Sequence, residues 1–248
     1  MANHDPESKS QPSLFATTKW TLVIDAARAG DDTGALDALG NLFQTYWQPL
    51  YRYARRKGKS REDAEDLVQG FLSHLVENNS LRTLDREKGR FRAFLLACFN
   101  NWIVNDWKHA TRQKRGGGAV LLSFDWESAE TGLHLEPADE RSPDRLFDRE
   151  WALALLAKVL ADLEAAARSE GNARQFKRLK SCLTTDAQSI PYSALATELG
   201  MSEGAIRVAV HRLRKRYRKQ LETEIARTLS SQEAVRDEMQ TLLAVLAE

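Results

Sequence analysis

The chain has 248 residues, of which 42% are hydrophobic and 29% charged, an ordinary balance for a globular protein. The formal net charge is only +1, so the total charge neither indicates nor excludes nucleic acid as a partner. No apolar run approaches the about 20 residues that cross a bilayer, and the first 11 residues lack the apolar core of a signal peptide. We therefore expect a cytoplasmic protein without membrane contact.

Helical periodicity recurs in nearly every long segment and sustained alternation does not, which predicts an all-α fold. Residues 1–16 are expected to form a disordered arm, and residues 20–29 a short apolar helix. The next helix begins near Gly34, and Pro49 is predicted to kink or restart it. Its apolar side consists of Leu36, Leu39, Phe43, Tyr46, Leu50 and Tyr53.

A second long helix begins at Ser60, whose hydroxyl can cap it, with Asp63 three residues later. Its apolar stripe comprises Ala64, Leu67, Val68, Phe71, Leu72, Leu75 and Val76. The opposite face carries Glu62, Glu65, Asp66, Gln69 and Ser73. Such a row of carboxylates can pair with arginines of a partner, or it can be a solvated acidic face.

A third long helix is predicted over residues 89–112, and three glycines at 116–118 end a first domain over residues 17–115. One apolar stripe of this helix holds Phe91, Phe94, Leu95, Cys98 and Trp102, and Phe99, Ile103 and Trp107 lie off it. Exposed aromatic rings beside cations suit unstacked bases. For Phe91, Phe94 and Trp102 we expect a place in the core, and for Trp107 and Asn101 a functional one.

Charge is distributed in blocks that the near-zero total conceals. Residues 51–61 carry six Lys/Arg and residues 207–219 carry seven, both without an acid, whereas residues 125–150 carry nine Asp/Glu against three Arg. Residues 116–144 are therefore predicted to be an acidic linker between two helical domains.

The second domain, predicted over residues 145–230, contains a two-helix corner. Pro191 can occupy the first turn of a helix, Gly200 can end that helix in a left-handed conformation, and Ser202 can cap the next one. This is the arrangement of a DNA-binding helix–turn–helix. The second helix has an inward face of Ile206, Ala209, Val210, Leu213 and Tyr217 and an outward face of Glu203, Arg207, His211, Arg214 and Arg218.

Two cysteines, Cys98 and Cys182, lie in apolar helical patterns, so we expect buried thiols, no zinc site and no cofactor. Residues 231–248 are predicted to form an amphipathic helix with Val235, Met239, Leu242 and Leu246 on one side. We expect this tail to pack on its own domain, and a partner-docking helix is the alternative.

The corner carries a resemblance to a family. Leu195-Ala196-x-x-Leu199-Gly200-Met201-Ser202-x-Gly204-Ala205-Ile206-Arg207, followed by His211-Arg212-Leu213-Arg214, resembles the fourth conserved region of bacterial sigma factors, in the extracytoplasmic-function branch. The resemblance implies contacts to the minus-thirty-five promoter element from Ser202, Glu203, Arg207, Val208, His211, Arg212, Arg214 and Lys215. Ala209 stands where many members have Arg, which leaves the sequence preference open.

The first domain resembles the second conserved region of the same family. Residues 60–72 resemble region 2.2, which implies polymerase docking by Glu62, Asp63, Glu65, Asp66 and Gln69. Residues 90–108 resemble regions 2.3 and 2.4, which implies contacts to the minus-ten element from Asn101, Asn105, Trp107, Lys108, Arg112, Lys114 and Arg115. The family's Asn-x-x-x-Asp pattern would place its Asp at Asn105, with Asp106 one step later, so the register is open.

Together these patterns predict a sigma factor without catalysis of its own. The implied partners are core RNA polymerase, double-stranded promoter DNA and its melted single strand, and an anti-sigma factor is left open. The alternative is a helix–turn–helix regulator that does not bind polymerase as a sigma factor. A metal-dependent nuclease is disfavoured because the acids line one helical face and do not converge.

Overall fold

The computed structural model describes residues 32–77, 91–109, 124–134, 142–227, 229 and 232–247. Within these ranges the chain forms α-helices and short 3-10 segments and no strand, which confirms the all-α prediction. The helices are α1 (Asp32–Arg56), α2 (Arg61–Glu77), α3 (Phe91–His109), α4 (Trp126–His134), α5 (Pro143–Ser169), α6 (Ala173–Leu179), α7 (Tyr192–Leu199), α8 (Glu203–Ala226) and α9 (Gln232–Ala247). The predicted arm at 1–16 and the predicted helix at 20–29 lie outside the described residues.

Helix α1 is the central element of the first half of the chain. It runs without interruption through Pro49, so the predicted restart at this proline is wrong. The predicted apolar side is buried at Phe43, Tyr46, Leu50 and Tyr53, but the opposite side is buried as well. A helix that is apolar on most sides must be covered on most sides, and α2, α4 and α5 all pack against α1.

Helices α2 and α3 pack beside α1 much as their stripes predict. Ser60 caps α2, because its Oγ accepts the Asp63 backbone N–H at 3.1 Å. In α3, Phe99 is fully buried and its ring lies 5.0 Å from that of Phe71 and 6.3 Å from that of Tyr53. The prediction that placed Phe99 off the apolar stripe is therefore corrected, since α1 covers a second side of α3.

Much of the predicted acidic linker is packed helix. Phe124 stacks on Trp47 of α1 with ring centroids 4.9 Å apart, and Trp126 meets Trp47 edge-on at 5.1 Å. Glu130 of α4 is buried and accepts hydrogen bonds from Tyr51 and Arg55. These residues form part of the first half of the protein, so the spacer predicted over 116–144 is corrected for residues 124–134.

Helix α5 connects the two halves. Ser142 caps it by accepting the Arg145 N–H at 3.4 Å, and Pro143 occupies the first turn. Most of its buried residues belong to the same hydrophobic cluster as those of α1, a cluster that runs from Phe43 to Leu242. The domain bounds 17–115 and 145–230 stay a prediction, but the described parts of both ranges share this core.

The C-terminal third forms a second, smaller cluster and returns to the shared core. The smaller cluster comprises Leu179, Cys182, Ile190, Leu195, Ala196, Ile206 and Val210. Helix α9 packs on α5 and α8 through Val235 and Leu242, in agreement with the predicted packing of the tail. It also reaches Arg92 of α3, a contact that the sequence pattern did not suggest.

Candidate nucleic-acid interface and acidic surface

Helices α7 and α8 are joined by a three-residue turn. Helix α7 ends at Gly200, whose backbone is left-handed (φ 66°, ψ 35°), and the next N–H, from Met201, bonds to the Ala196 carbonyl at 3.0 Å. Ser202 then caps α8, because its Oγ accepts the Ala205 N–H at 3.2 Å. Pro191 precedes α7 and is not part of its first turn. The local signals of the sequence thus produce the two-helix corner that they predict.

Helix α8 separates an inward from an outward face. Ile206 and Val210 are buried against α7, and Leu213 and Tyr217 are half-buried. The outward face of the first turns is exposed at Glu203, Arg207, Val208, His211, Arg212 and Lys215. Val208 is an apolar side chain with 49% exposure in the middle of these polar groups. An exposed face of this composition offers both cations and one apolar contact to a ligand.

Arg207 is held by an aromatic ring. Its guanidinium carbon lies 4.0 Å from the centroid of the Tyr192 ring, at the start of α7. Such a cation–π contact restricts the side chain without neutralising its charge. Arg207 therefore links the two helices while it remains exposed.

Arg214 does not face outward as predicted. It is half-buried, its Nη2 donates to the Cys182 carbonyl at 2.8 Å and the Thr185 carbonyl at 2.6 Å, and its Nε donates to the Cys182 carbonyl at 3.0 Å. The guanidinium thus satisfies the carbonyls at the end of the 3-10 segment Lys180–Leu183. The structure assigns Arg214 to the support of α8, and its DNA assignment is not retained.

Two further cations of this helix have acidic partners. Arg216 donates to both carboxylate oxygens of Glu170 at 2.6 and 3.0 Å, and this hydrogen bonding lowers the pKa of Glu170. Arg218 pairs with Glu222 one turn later at 3.2 Å. Among the described residues, Arg212 and Lys215 have no ion pair. The exposed Arg207, Arg212 and Lys215 therefore keep positive charge available on the outward face of α8.

The acidic face of α2 is exposed where the sequence places it. Glu62, Asp63 and Asp66 are exposed, and Glu65 and Gln69 are half-buried. Glu65 accepts from Arg61 Nε at 2.9 Å, and this hydrogen bond raises the pKa of Arg61. Because Glu65 already has a partner, Glu62, Asp63 and Asp66 are the carboxylates of this face that are most available to another protein.

The C-terminal half of α3 presents polar groups to solvent. Asn101 and Asn105 are exposed one turn apart, and Val104 between them is 67% exposed. The neighbouring Asn100 is a structural residue, since it accepts the Tyr53 hydroxyl at 2.8 Å. Helix α3 extends through Trp107 and Lys108 to His109. The side chains of Trp107 and Lys108, and all of Arg112, Lys114 and Arg115, lie outside the described residues.

The basic block at 51–61 and the acidic block at 125–150 meet each other. Glu130 accepts from Arg55 Nη2 at 2.7 Å, and Glu150 accepts from Arg52 Nη1 at 2.6 Å and Arg56 Nη2 at 3.4 Å. Burial and the hydrogen bond to Glu130 raise the pKa of the Tyr51 phenol. Much of the charge that the sequence suggested for outside partners is therefore compensated within the protein.

Within the described ranges, no group of three or more His, Cys, Asp or Glu side chains is placed to hold a metal ion. Cys98 is half-buried, and its burial raises the pKa of the thiol. None of the described helices combines the length and apolar character that crossing a membrane requires.

Comparisons with known proteins give a matching family model and a relative. Residues 42–113 match the family model of sigma-70 region 2. The chain is also similar to the extracytoplasmic-function (ECF) RNA polymerase sigma factor SigE of Mycolicibacterium smegmatis, with 22% identity over 235 residues that cover 91% of this chain and 80% of that protein. No solved structure matches the chain. The family match covers the acidic face of α2 and the exposed half of α3.

Proposed function

We infer from these findings that the chain is a sigma factor of the extracytoplasmic-function type, which serves promoter recognition and transcription initiation. The observation that carries this conclusion is the sigma-70 region 2 match over residues 42–113. The similarity to a sigma factor along 91% of the chain supports it. In this function the protein acts by binding and positioning, and core polymerase performs the chemistry.

The acidic face of α2 is the proposed docking surface for core polymerase. Glu62, Asp63 and Asp66 are exposed on a helix whose other side is firmly buried, so their positions are set before a partner arrives. Glu65 and Gln69 extend the face. Carboxylates in a fixed row favour a partner with arginines at matching spacing, and they set orientation and association rate more than raw affinity.

Binding of core polymerase to the full chain tests this surface. Asp66→Arg reverses an exposed charge, so we expect at least tenfold weaker binding without loss of helicity. Asp162→Arg, at an exposed acid of α5 that pairs with Lys158 at 2.6 Å, is the charge-reversal control and should bind core polymerase normally. Normal affinity of Asp66→Arg would refute the docking surface. Failure of the unmodified chain to bind core polymerase would refute the function itself and favour a helix–turn–helix regulator.

The C-terminal half of α3 and the basic residues that follow are the proposed minus-ten contact. Asn101 and Asn105 can donate to and accept from exposed base edges, and Trp107 can stack on an unstacked base. Lys108, Arg112, Lys114 and Arg115 supply charge for phosphates. These roles concern melted single strands, whose bases have no pairing partner and whose edges are accessible.

The outward face of α8 is the proposed reader of the upstream promoter element. Its candidates are Ser202, Glu203, Arg207, Val208, His211, Arg212 and Lys215, all at or near the N-terminal half of the helix. Side chains near the start of such a helix contact base edges in the major groove, and later cations contact phosphates. Arg207→Ala and His211→Ala should weaken the upstream footprint while polymerase binding is unchanged. An unchanged footprint would contradict this assignment.

A further inference from the structure

Arg92 joins three helices that are far apart in sequence. It lies in the first turn of α3 and is only 5% exposed. Its Nη1 donates to Asp148 of α5 at 2.5 Å, and its Nε donates to Glu238 of α9 at 2.7 Å. The guanidinium carbon also lies 4.8 Å from the ring centroid of Trp151 in α5. We refer to Arg92, Asp148, Trp151 and Glu238 as the Arg92 cluster.

Glu238 is the residue that makes this contact specific. It is 2% exposed, and Val235 and Leu242, about one turn away on either side, are buried in the shared core. A buried carboxylate is costly unless it is paired, and breaking a buried pair leaves an uncompensated charge. The packed face of α9 therefore fits a site that provides a cation. On a purely apolar surface the Glu238 carboxylate would be buried without a partner.

The Arg92 cluster belongs to a wider set of contacts between the two halves. Arg52 and Arg56 of α1 pair with Glu150 of α5, and the Tyr53 hydroxyl oxygen lies 3.1 Å from Asp144 Oδ1. Apolar residues of α1, α3, α5, α8 and α9 share one buried cluster. The helix that carries the proposed upstream reader is thus fixed to the body that carries the proposed polymerase and minus-ten contacts.

If the proposed function holds, the closed chain is too small for its two DNA-binding faces to contact both promoter elements at the same time. The names of the elements place them about 25 base pairs apart, or about 85 Å of duplex at about 3.4 Å per pair. A compact chain of 248 residues has a radius of gyration of about 18 Å, which corresponds to a sphere about 46 Å across. The two DNA-binding faces can reach their elements together only after the halves separate.

We propose that α9 is an autoinhibitory clasp, and that release of Glu238 from Arg92 opens the chain for promoter binding. In the closed state α9 connects α5 and α8 to α3 and adds to the contacts that α1 makes with α5. Opening exposes the apolar face of α9 and returns the charges of the Arg92 cluster to water. Only open chains can bind both elements. The apparent affinity for promoter DNA is therefore the affinity of the open state multiplied by the fraction of chains that are open.

Glu238→Ala tests the clasp in the full chain, and Asp237→Ala is the matched control on an exposed residue of the same helix. We expect Glu238→Ala to retain its helicity, to increase its radius of gyration in small-angle X-ray scattering, and to bind a promoter duplex with both elements more tightly. Because a hydrogen bond to a charged group is lost, the shift toward the open state should be about tenfold or more. Asp237→Ala should behave as the unmodified chain does.

Unchanged scattering and unchanged or weaker DNA binding by Glu238→Ala would overturn the proposal. If this variant loses helicity, Glu238→Gln decides, since it keeps the side-chain shape and removes the charge: tighter DNA binding supports the clasp, and equal or weaker binding overturns it. Binding of core polymerase to the unmodified chain is measured in parallel. Its absence would refute the proposed function, whereas the scattering comparison tests the clasp independently of polymerase.

Discussion

Arg52 of α1 and Glu150 of α5 form an ion pair at 2.6 Å whose side chains are only 10% and 5% exposed. The two residues are 98 positions apart, and one belongs to the basic block of the sequence and the other to the acidic block. Arg56 contacts the same carboxylate at 3.4 Å. The charge blocks of this chain are therefore partly structural, because they meet at the junction of its two halves.

Removal of the Glu150 carboxylate should be strongly destabilising. Glu150→Ala removes the carboxylate that Arg52 and Arg56 share in a buried ion pair, so we expect the free energy of unfolding to fall by about 3–5 kcal/mol. Glu222→Ala breaks the exposed pair with Arg218 and should cost less than about 1 kcal/mol. Urea denaturation followed by circular dichroism measures both. Equal losses in the two variants would show that the buried pair is not a major contribution.

Local features of the fold could be predicted from the sequence because their causes lie within a few residues. The caps at Ser60 and Ser202, the left-handed Gly200 and the apolar stripe of α2 depend on neighbouring positions in one helix. The inward face of α8 follows from the same periodicity. The exposed polar faces of α2 and α8 could be predicted as well, because polar residues recur on the side of each helix opposite its apolar stripe.

Features that depend on distant partners could not be predicted in this way. Periodicity places Phe99 off the main stripe of α3, but α1 buries it on that side. Composition describes residues 116–144 as a spacer, whereas Glu130 accepts a hydrogen bond from Arg55, which lies 75 residues earlier in the chain. Arg214 falls on the outward face by spacing, but its long side chain turns back to backbone carbonyls. In each case the pairing depends on tertiary contacts.

Arg214 and Arg212 should have opposite roles although they are two residues apart. Arg214→Ala removes three hydrogen bonds to the carbonyls of Cys182 and Thr185, so we expect a loss of about 2–4 kcal/mol in the free energy of unfolding. Arg212→Ala should preserve stability and weaken upstream DNA binding. It should also reduce the slope of the logarithm of the binding constant against the logarithm of salt concentration by about one. Thermal denaturation and salt titration separate the two effects. Unchanged stability of Arg214→Ala would contradict the assignment of Arg214 to the support of α8.

Gly200 and Gly204 should respond in opposite directions to the same substitution. Gly200 has φ +66°, and a left-handed backbone costs a residue with a side chain about 1–2 kcal/mol, so Gly200→Ala should be destabilising. At Gly204 an added Cβ meets only Ser202 Oγ at 4.0 Å, and Gly204→Ala should be neutral or stabilising by about 0.4–1 kcal/mol. Thermal unfolding of both variants checks the turn. If Gly204→Ala lost stability and Gly200→Ala did not, the left-handed turn at Gly200 would be contradicted.

Val208 is expected to read a thymine methyl group in the upstream element. It is 49% exposed on the outward face of α8, and apolar side chains in the major groove contact that methyl. Replacement of thymine by uracil in the upstream element removes the methyl alone and should weaken binding about fourfold. Val208→Ser should bind both duplexes equally, whereas Arg212→Ala should retain the difference. An equal effect of uracil on Val208→Ser and on the unmodified chain would exclude this contact.

Run-off transcription with purified core polymerase tests the central claim most directly. Core polymerase alone should give no specific transcript from a library of genomic promoter fragments, and addition of the unmodified chain should give transcripts with defined start sites. At limiting concentration of the chain, Asp66→Arg should strongly reduce these transcripts, and Asp162→Arg should not. Failure of both the unmodified chain and Glu238→Ala to direct any specific transcript, despite binding the polymerase or the DNA, would contradict the function as a sigma factor.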